Sequence, residues 1–153
     1  MSMDARLKEL GIVLPAAAAP VASYVPIVVQ NDLAYISGQL PFLDGNLVTG
    51  RLGEDVSVER GTAAARACGL MILAQLVAAE ISLDRVTRIV KLGAFVSSAA
   101  NFSDQPKVAN GASELMFDVF GDLGRHARSA VGVPVLPLHA AVEVDAIIAL
   151  HPA

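Results

Sequence analysis

Cysteine, tryptophan and aromatic residues in general are scarce in this sequence. Its 153 residues include one cysteine, Cys68, no tryptophan, and only 5% aromatic side chains. A single cysteine excludes a disulfide bond within the chain and is typical of a protein in a reducing compartment. Because Cys68 lies in an alanine-rich stretch that predicts a helix, we expect a buried structural thiol. The alternative is a nucleophilic cysteine.

Charged residues are also few, and the basic ones form no cluster. The chain is 17% charged and 54% hydrophobic, whereas about 25% charged is usual for a soluble domain. A domain this apolar is expected to bury part of its surface against copies of itself; the alternative is a monomer whose apolar content reflects its alanines. The net charge of −4 and the missing basic stripe argue against nucleic acid as a partner.

No apolar run reaches the ~18–20 uninterrupted residues that predict a membrane span. The N-terminal segment 1–22 has an apolar stretch like that of a signal peptide. Acidic residues precede this stretch, however, and Pro15 and Pro20 interrupt it. We therefore predict a short helix near residues 3–10, then an extended Pro/Ala arm, in a cytoplasmic protein with no membrane partner. The length predicts one domain over residues 1–153.

What is present is a regular succession of strand and helix patterns. Two β-rich runs, Tyr24–Gln30 and Leu33–Gln39, flank an Asn-Asp pair that tolerates positive φ and predicts a tight hairpin. The order β-β-α-β-α-β-β predicts an α+β fold, with one mostly antiparallel sheet and two helices packed on one face. The later segments are a helix over 57–80, a strand over 86–97, a helix over 105–120, and strands over about 128–135 and 142–150.

The segment 57–80 is long enough for a central helix. Asp55 or Ser57 could cap it, and Glu59 would lie in its first turn, where the helix dipole favours negative charge. Leucine and alanine cover one face, and polar residues that include Gln75 indicate the wetter side.

The segment from Arg128 to Glu143 carries the strongest chemical signal. Arg128 begins an apolar β run, and Glu143 follows a Leu-Pro turn on what we predict to be the returning strand. An arginine in such a run is costly to bury unless it meets an anion, and its donors fit a carboxylate in two parallel hydrogen bonds. The segment predicts a pocket for a small carboxylate ligand; the alternative is an ion pair between neighbouring strands. The histidines have no paired spacing, so we expect no metal.

Four blocks of the sequence together resemble one family. They are SYVPIVVQNDLAYISGQLP at 23–41, VKLGAFV at 90–96, NGASELMFDVF at 110–120 and ARSAVGVPVLPLHAAVEVDAI at 127–147. With the element order, they resemble the RidA family, also called YjgF/YER057c/UK114 or endoribonuclease L-PSP-like. The similarity is greater to a longer, N-terminally extended branch.

This resemblance implies a fold like that of chorismate mutase, in homotrimers whose sheets line a central barrel. It implies a pocket at each subunit interface for a small imino-acid ligand, and no cofactor. The best-known members of the family hydrolyse reactive enamines and imines such as 2-aminoacrylate to 2-oxo acids and ammonia. The implied activity is that of a 2-iminobutanoate/2-iminopropanoate deaminase.

The resemblance also assigns the two catalytic residues and the first of the binding residues. Arg128 matches the arginine that grips the substrate carboxylate, and Glu143 matches the glutamate that positions the attacking water. Tyr24 matches an aromatic residue that closes the pocket from a neighbouring subunit. Ordinary interface packing is the alternative for Tyr24.

Three further binding positions follow from the same resemblance. Gly38 matches a position beside the ligand, and Asn110 matches an asparagine at the start of the second helix. Ala130 stands where many active members have cysteine, and the family uses the backbone N–H at that position. The alternatives are a bulge for Gly38 and a helix cap for Asn110.

Three functions compete. The hydrolase is favoured by Arg128 with Glu143. A non-catalytic trimer that binds small carboxylates or regulates a partner is the alternative, because of Ala130 and the N-terminal arm. Ribonuclease or translation-inhibitor activity, which belongs to the older family name, is disfavoured by the acidic charge.

Overall fold

The computed structural model describes residues 1–20 and 22–153, and it begins with a short helix. Helix α1 spans Met3–Glu9, and the Ser2 hydroxyl caps it by accepting a hydrogen bond from an N–H of the first turn. The helix predicted near residues 3–10 is thus confirmed, and extended chain follows it.

A five-stranded sheet forms the centre of the structure. Its strands are β1 (Ile27–Gln30), β2 (Leu33–Gln39), β5 (Val86–Ser97), β6 (Ala127–Val133) and β7 (Val142–Leu150), and a separate ribbon consists of β3 (Phe42–Leu43) and β4 (Asn46–Leu47). Across the sheet the strands lie in the order β1-β2-β7-β5-β6, and β5 with β6 is its parallel pair. The predicted α+β class and mostly antiparallel sheet are confirmed.

Two helices, α2 (Val58–Ala78) and α3 (Gln105–Phe120), pack on one face of this sheet. The Ser57 hydroxyl caps α2 by accepting from an N–H of the first turn at 3.0 Å. The helix α3 ends at Gly121, whose φ of 60° suits glycine. Gly111 has no room for a Cβ because the α2 backbone passes at that point, so α2 and α3 cross closely.

The helix α2 is long and apolar enough to cross a membrane by length and composition alone. In this structure 67% of its most apolar window is buried. It packs as the core helix of the fold, which is the ordinary place of such a helix in a soluble protein.

The other face of the sheet carries no helix within residues 1–20 and 22–153. Val28, Tyr35 and Val131 are between 43% and 51% exposed on strands whose registers place them on this open face. An exposed apolar face of this kind is typical of a surface that other copies cover. The homotrimer stays a prediction.

Three details of the sequence interpretation are wrong. β1 begins at Ile27 rather than Tyr24, because Pro26 precedes it and has no N–H for the ladder. β6 ends at Val133, where Pro134 again removes a donor. Gln75 is only 4% exposed, because its amide has buried partners that periodicity does not reveal.

Candidate functional site

Arg128 lies on β6 and reaches over the edge of the sheet to helix α3. Its Nη1 donates to the Asn110 Oδ1 at 2.8 Å and to the Ser113 Oγ at 3.1 Å, and its Nη2 donates to the Pro106 carbonyl at 3.4 Å. We call Arg128, Asn110 and Ser113 the arginine half-site. These bonds fix the guanidinium at the wall of a groove of about 430 Å³ that Arg125 and His126 also line.

Asn110 does not cap a helix. It lies inside α3, which begins at Gln105, and residue Asp104 occupies the cap position. The helix-cap alternative is therefore wrong, and the physical reason is that the Asn110 amide is turned to the Arg128 guanidinium. Ser113 was missed, although its position one helical turn after Asn110 places both on one face.

Glu143 lies on β7 beside the irregular part of β2. The β2–β7 register shifts between Ile36 and Gln39, which confirms a bulge at Gly38. A Cβ added to Gly38 would lie 2.5 Å from the Glu143 Oε2, so a larger residue at this position would push the carboxylate out of its observed place. Gly38 thus both forms a bulge and makes space for Glu143. We call these two residues the glutamate half-site.

Glu143 is half-buried and its charge is disfavoured. Burial raises the pKa of Glu143, and the nearby negative charge of Asp145 raises it further. Burial also raises the pKa of Asp145. Within residues 1–20 and 22–153 no side chain donates a hydrogen bond to the Glu143 carboxylate. A carboxylate with a raised pKa is suited to exchange protons with a substrate near neutral pH.

The two half-sites lie on opposite faces of the sheet. In the registers with β5, Arg128 is opposite Leu92 and Glu143 is opposite Phe95. Side chains alternate along a strand, so these two positions point to different faces. Strand spacings put the two Cα atoms about 14 Å apart. A small ligand bound to one chain cannot touch both side chains.

The strand that carries Glu143 does return, because β7 is antiparallel to β5 and β6 is parallel to it. The two strands are not neighbours, however, so the alternative of an ion pair between neighbouring strands is wrong. β7 lies between β2 and β5, and β5 separates it from β6. The connection after β6 crosses the end of β5, where Ser98 N donates to the Val133 carbonyl and Ser97 N donates to the Ala141 carbonyl. This crossover, rather than a hairpin, places β7 on the far side of β5 from β6.

The remaining predicted site residues divide between the two half-sites. Tyr24 is 44% exposed and lines a small cavity together with Gly38. Ala130 lies on β6 two residues beyond Arg128 and packs partly against the core. β6 is an edge strand, and such a strand has unpaired backbone N–H groups on its outer side.

Cys68 is fully buried in α2, and burial raises the pKa of its thiol. This confirms a structural thiol. Among residues 1–20 and 22–153, no three His, Cys, Asp or Glu side chains group as metal ligands. His126 is half-buried, and burial lowers its pKa.

Solved structures of similar proteins define the fold class of this chain. A crystal structure of the protein Atu1372 from Agrobacterium tumefaciens, whose function is given as unknown, is 46% identical, with a TM-score of 0.88 over 97% of this chain and 92% of that one. A "putative endoribonuclease" from Shewanella oneidensis is 34% identical, with a TM-score of 0.94 over 98% of this chain and 100% of that one. The fold is that of YjgF/chorismate-mutase-like proteins.

The family follows from sequence as well. Residues 4–150 match the family model described as "YjgF/chorismate_mutase-like, putative endoribonuclease". The chain is also 54% identical to Protein TCP17 of Trypanosoma cruzi over 149 residues, which are 96% of this chain and 93% of that protein. The chain belongs to the YjgF/RidA family.

Proposed function

We propose that this protein hydrolyses 2-imino acids, and their enamine tautomers, to 2-oxo acids and ammonia. The observation that carries the proposal is the pair of half-sites, a fixed guanidinium and a half-buried carboxylate with a raised pKa. The first suits the carboxylate that these substrates share, and the second suits the proton transfers that imine hydrolysis needs.

The reaction needs one water and two proton transfers. Glu143 accepts a proton as the water oxygen bonds to the imine carbon, and the substrate nitrogen receives a proton. As the C–N bond of the resulting carbinolamine breaks, its hydroxyl proton passes through Glu143 to the nitrogen, ammonia leaves, and the carbonyl of the 2-oxo acid forms. Arg128 holds the substrate carboxylate, so the imine carbon stays at a reproducible distance from the water.

The complete site is proposed to form between copies of the chain. Arg128 and Glu143 face opposite sides of one sheet, so one ligand meets both only if each comes from a different copy. The open apolar face supports such an assembly, and the homotrimer implied by the resemblance would provide one site at each interface. Tyr24 would then close the pocket beside Gly38.

A direct test compares wild type with Arg128→Ala in imine hydrolysis. A dehydratase generates 2-iminobutyrate or 2-aminoacrylate in situ, and the release of 2-oxo acid is followed. We expect acceleration by wild type and a loss of about 10²-fold or more in Arg128→Ala. Arg125→Ala is the matched control, because Arg125 lines the same groove but stacks on Phe117. Full activity in Arg128→Ala would refute the mechanism.

Mixing two inactive variants tests the shared site. Arg128→Ala and Glu143→Gln are unfolded together, refolded as a 1:1 mixture and assayed. A site between copies combines the intact Glu143 of one variant with the intact Arg128 of the other, in about a quarter of random interfaces. Recovery of about a quarter of wild-type activity is expected. No recovery from correctly assembled mixtures would contradict a shared site.

The non-catalytic alternative rests on Ala130, which replaces the cysteine of many active relatives. In that case calorimetry would show that 2-oxo acids bind to wild type and not to Arg128→Ala, with no acceleration of hydrolysis by either protein. Binding without turnover would replace the hydrolase by a carboxylate sensor.

A further inference from the structure

A small, partly open cavity lies beside the glutamate half-site, with Gly38 in its wall. Its volume is about 70 Å³, and Gly38, Tyr24 and Phe42 form part of its wall. The N-terminal arm supplies another part through residues 18–20, and Leu138 supplies the outer part. Most of the lining side chains are methyl, alkyl or aromatic; the amides of Gln39 and Gln75 also line the cavity, and no charged side chain does, so it is suited to a hydrocarbon group rather than a charged one.

The arm is fixed in this position by buried amides. The Gln75 Nε2 donates to the Ala18 carbonyl at 2.7 Å and to the Gln39 Oε1 at 3.1 Å, and the Gln39 Nε2 donates to the Ser37 carbonyl at 2.9 Å. On the other side of the same arm residue, the Ala18 N–H donates to the Met71 sulfur at 3.4 Å. Buried side-chain amides are stable in a protein interior when they have hydrogen-bond partners of this kind. The pair Gln39 and Gln75 therefore ties the arm to the bulge at Gly38.

Leu138 forms the outer wall of the cavity and has an unfavourable backbone conformation. Its φ is 59°, the next residue His139 has a φ of 58°, and non-glycine residues are disfavoured in this left-handed region. Leu138 is also 58% exposed, so burial in the core does not offset the strain. A strained, exposed leucine at the mouth of a cavity indicates a contact that the free chain does not make.

We propose that this cavity, the side-chain pocket, receives the hydrocarbon side chain of the imino acid whose reacting carbon lies at Glu143. About 10–15 Å³ holds one water-sized group, so the cavity of about 70 Å³ holds about five to seven such groups, which is room for an isobutyl side chain and not for an indolylmethyl group. The substrate class is thus imino acids with a short aliphatic side chain, such as isobutyl, rather than those with a methyl group or an indole. The inference rests on the proposed function.

The test measures selectivity among three imines. An amino acid oxidase generates them from alanine, leucine and tryptophan, and hydrolysis by the full-length protein is followed as kcat/KM. We expect the isobutyl imine to be preferred about 10-fold or more over the methyl and indole imines, since each enclosed methylene changes kcat/KM several-fold.

Two glycine variants of the same turn provide the matched comparison. Leu138→Gly removes the outer wall while relieving the left-handed strain, so the fold is retained and the preference for isobutyl falls about 10-fold. His139→Gly relieves the same strain in a residue that lines a different groove, so the preference stays. An equal loss in both variants would overturn the role of Leu138.

The outcomes separate this inference from the proposed function. Equal hydrolysis of all three imines by wild type would overturn the side-chain pocket and leave the hydrolase intact. If no imine is hydrolysed, calorimetry with pyruvate and 4-methyl-2-oxopentanoate decides. Tighter binding of the longer acid, lost in Leu138→Gly, supports the side-chain pocket; equal or absent binding overturns it.

Discussion

The two half-sites differ in the hydrogen-bond partners that the fold provides for their charged groups. The Arg128 guanidinium has three acceptors on α3 within 3.4 Å, whereas no side chain within residues 1–20 and 22–153 donates to the Glu143 carboxylate. The arginine half-site is therefore rigid before a ligand arrives. The glutamate half-site disfavours the negative charge of Glu143 through burial and the neighbouring Asp145, so the pKa of Glu143 is raised. The carboxylate anchor and the base that we propose for imine hydrolysis need these opposite environments.

Removing the base should produce the largest effect. Glu143→Gln is expected to lower kcat for imine hydrolysis by about 10²–10⁴-fold, while 2-oxo acid binding persists because Arg128 is unchanged. Rates are measured with freshly generated imine and binding by calorimetry. Asp145→Asn is the control: it should stay active and shift the acid limb of the pH–rate profile to lower pH, because loss of a neighbouring negative charge lowers the pKa of Glu143. Near-normal turnover in Glu143→Gln would exclude it as the base.

Displacing the base without removing it should have the next largest effect. In Gly38→Ala the added Cβ would meet the Glu143 carboxylate, so we expect a loss of about 10²-fold in kcat from misplacement. Circular dichroism and thermal unfolding check the fold. The double variant Gly38→Ala/Glu143→Gln should be no slower than Glu143→Gln alone. Additive losses would show that Gly38 acts on something other than Glu143.

Loosening the anchor should have a smaller effect and a different signature. Asn110→Ala removes the 2.8 Å acceptor of Arg128, and we expect 2-oxo acid binding to weaken about 10-fold, the value of a hydrogen bond to a charged group. The kcat at saturation should change little. Ser113→Ala, which loses the longer bond, should weaken binding less. A fall in kcat with unchanged binding would contradict the assignment.

The smallest effect concerns stability and pH. Because the folded protein raises the pKa of Glu143, the folded state holds a proton that the unfolded chain has already lost. Stability from this residue is then lost as pH rises from the ordinary glutamate pKa through the raised one. Glu143→Gln should be more stable than wild type at neutral pH and equally stable in acid below that window. Thermal unfolding at both pH values measures the difference, and an unchanged or reversed difference would disagree with the raised pKa.

Local sequence patterns predicted most of the helices and strands, but not which segments pack against one another in space. The Asn-Asp hairpin, the helix caps and Gly121 act over a few residues, so the hairpin, α2 and α3 were found near their observed bounds. The prolines at 26 and 134 limit two strands, and both strand ends could have been predicted from these prolines in the sequence. Gln75 could not be placed, because helical periodicity does not reveal a partner 36 residues away in sequence at Gln39.

The sequence by itself determined the element order, the buried thiol of Cys68, and the residue types at the site, since these depend on local spacing and composition. The tertiary structure alone decided that β7 inserts between β2 and β5. That order puts β5 between Arg128 and Glu143, and the registers on β5 place the two side chains on opposite faces. The physical reason is that strand order is set by packing between segments distant in sequence. The local pattern around 128–143 carries no information about that packing.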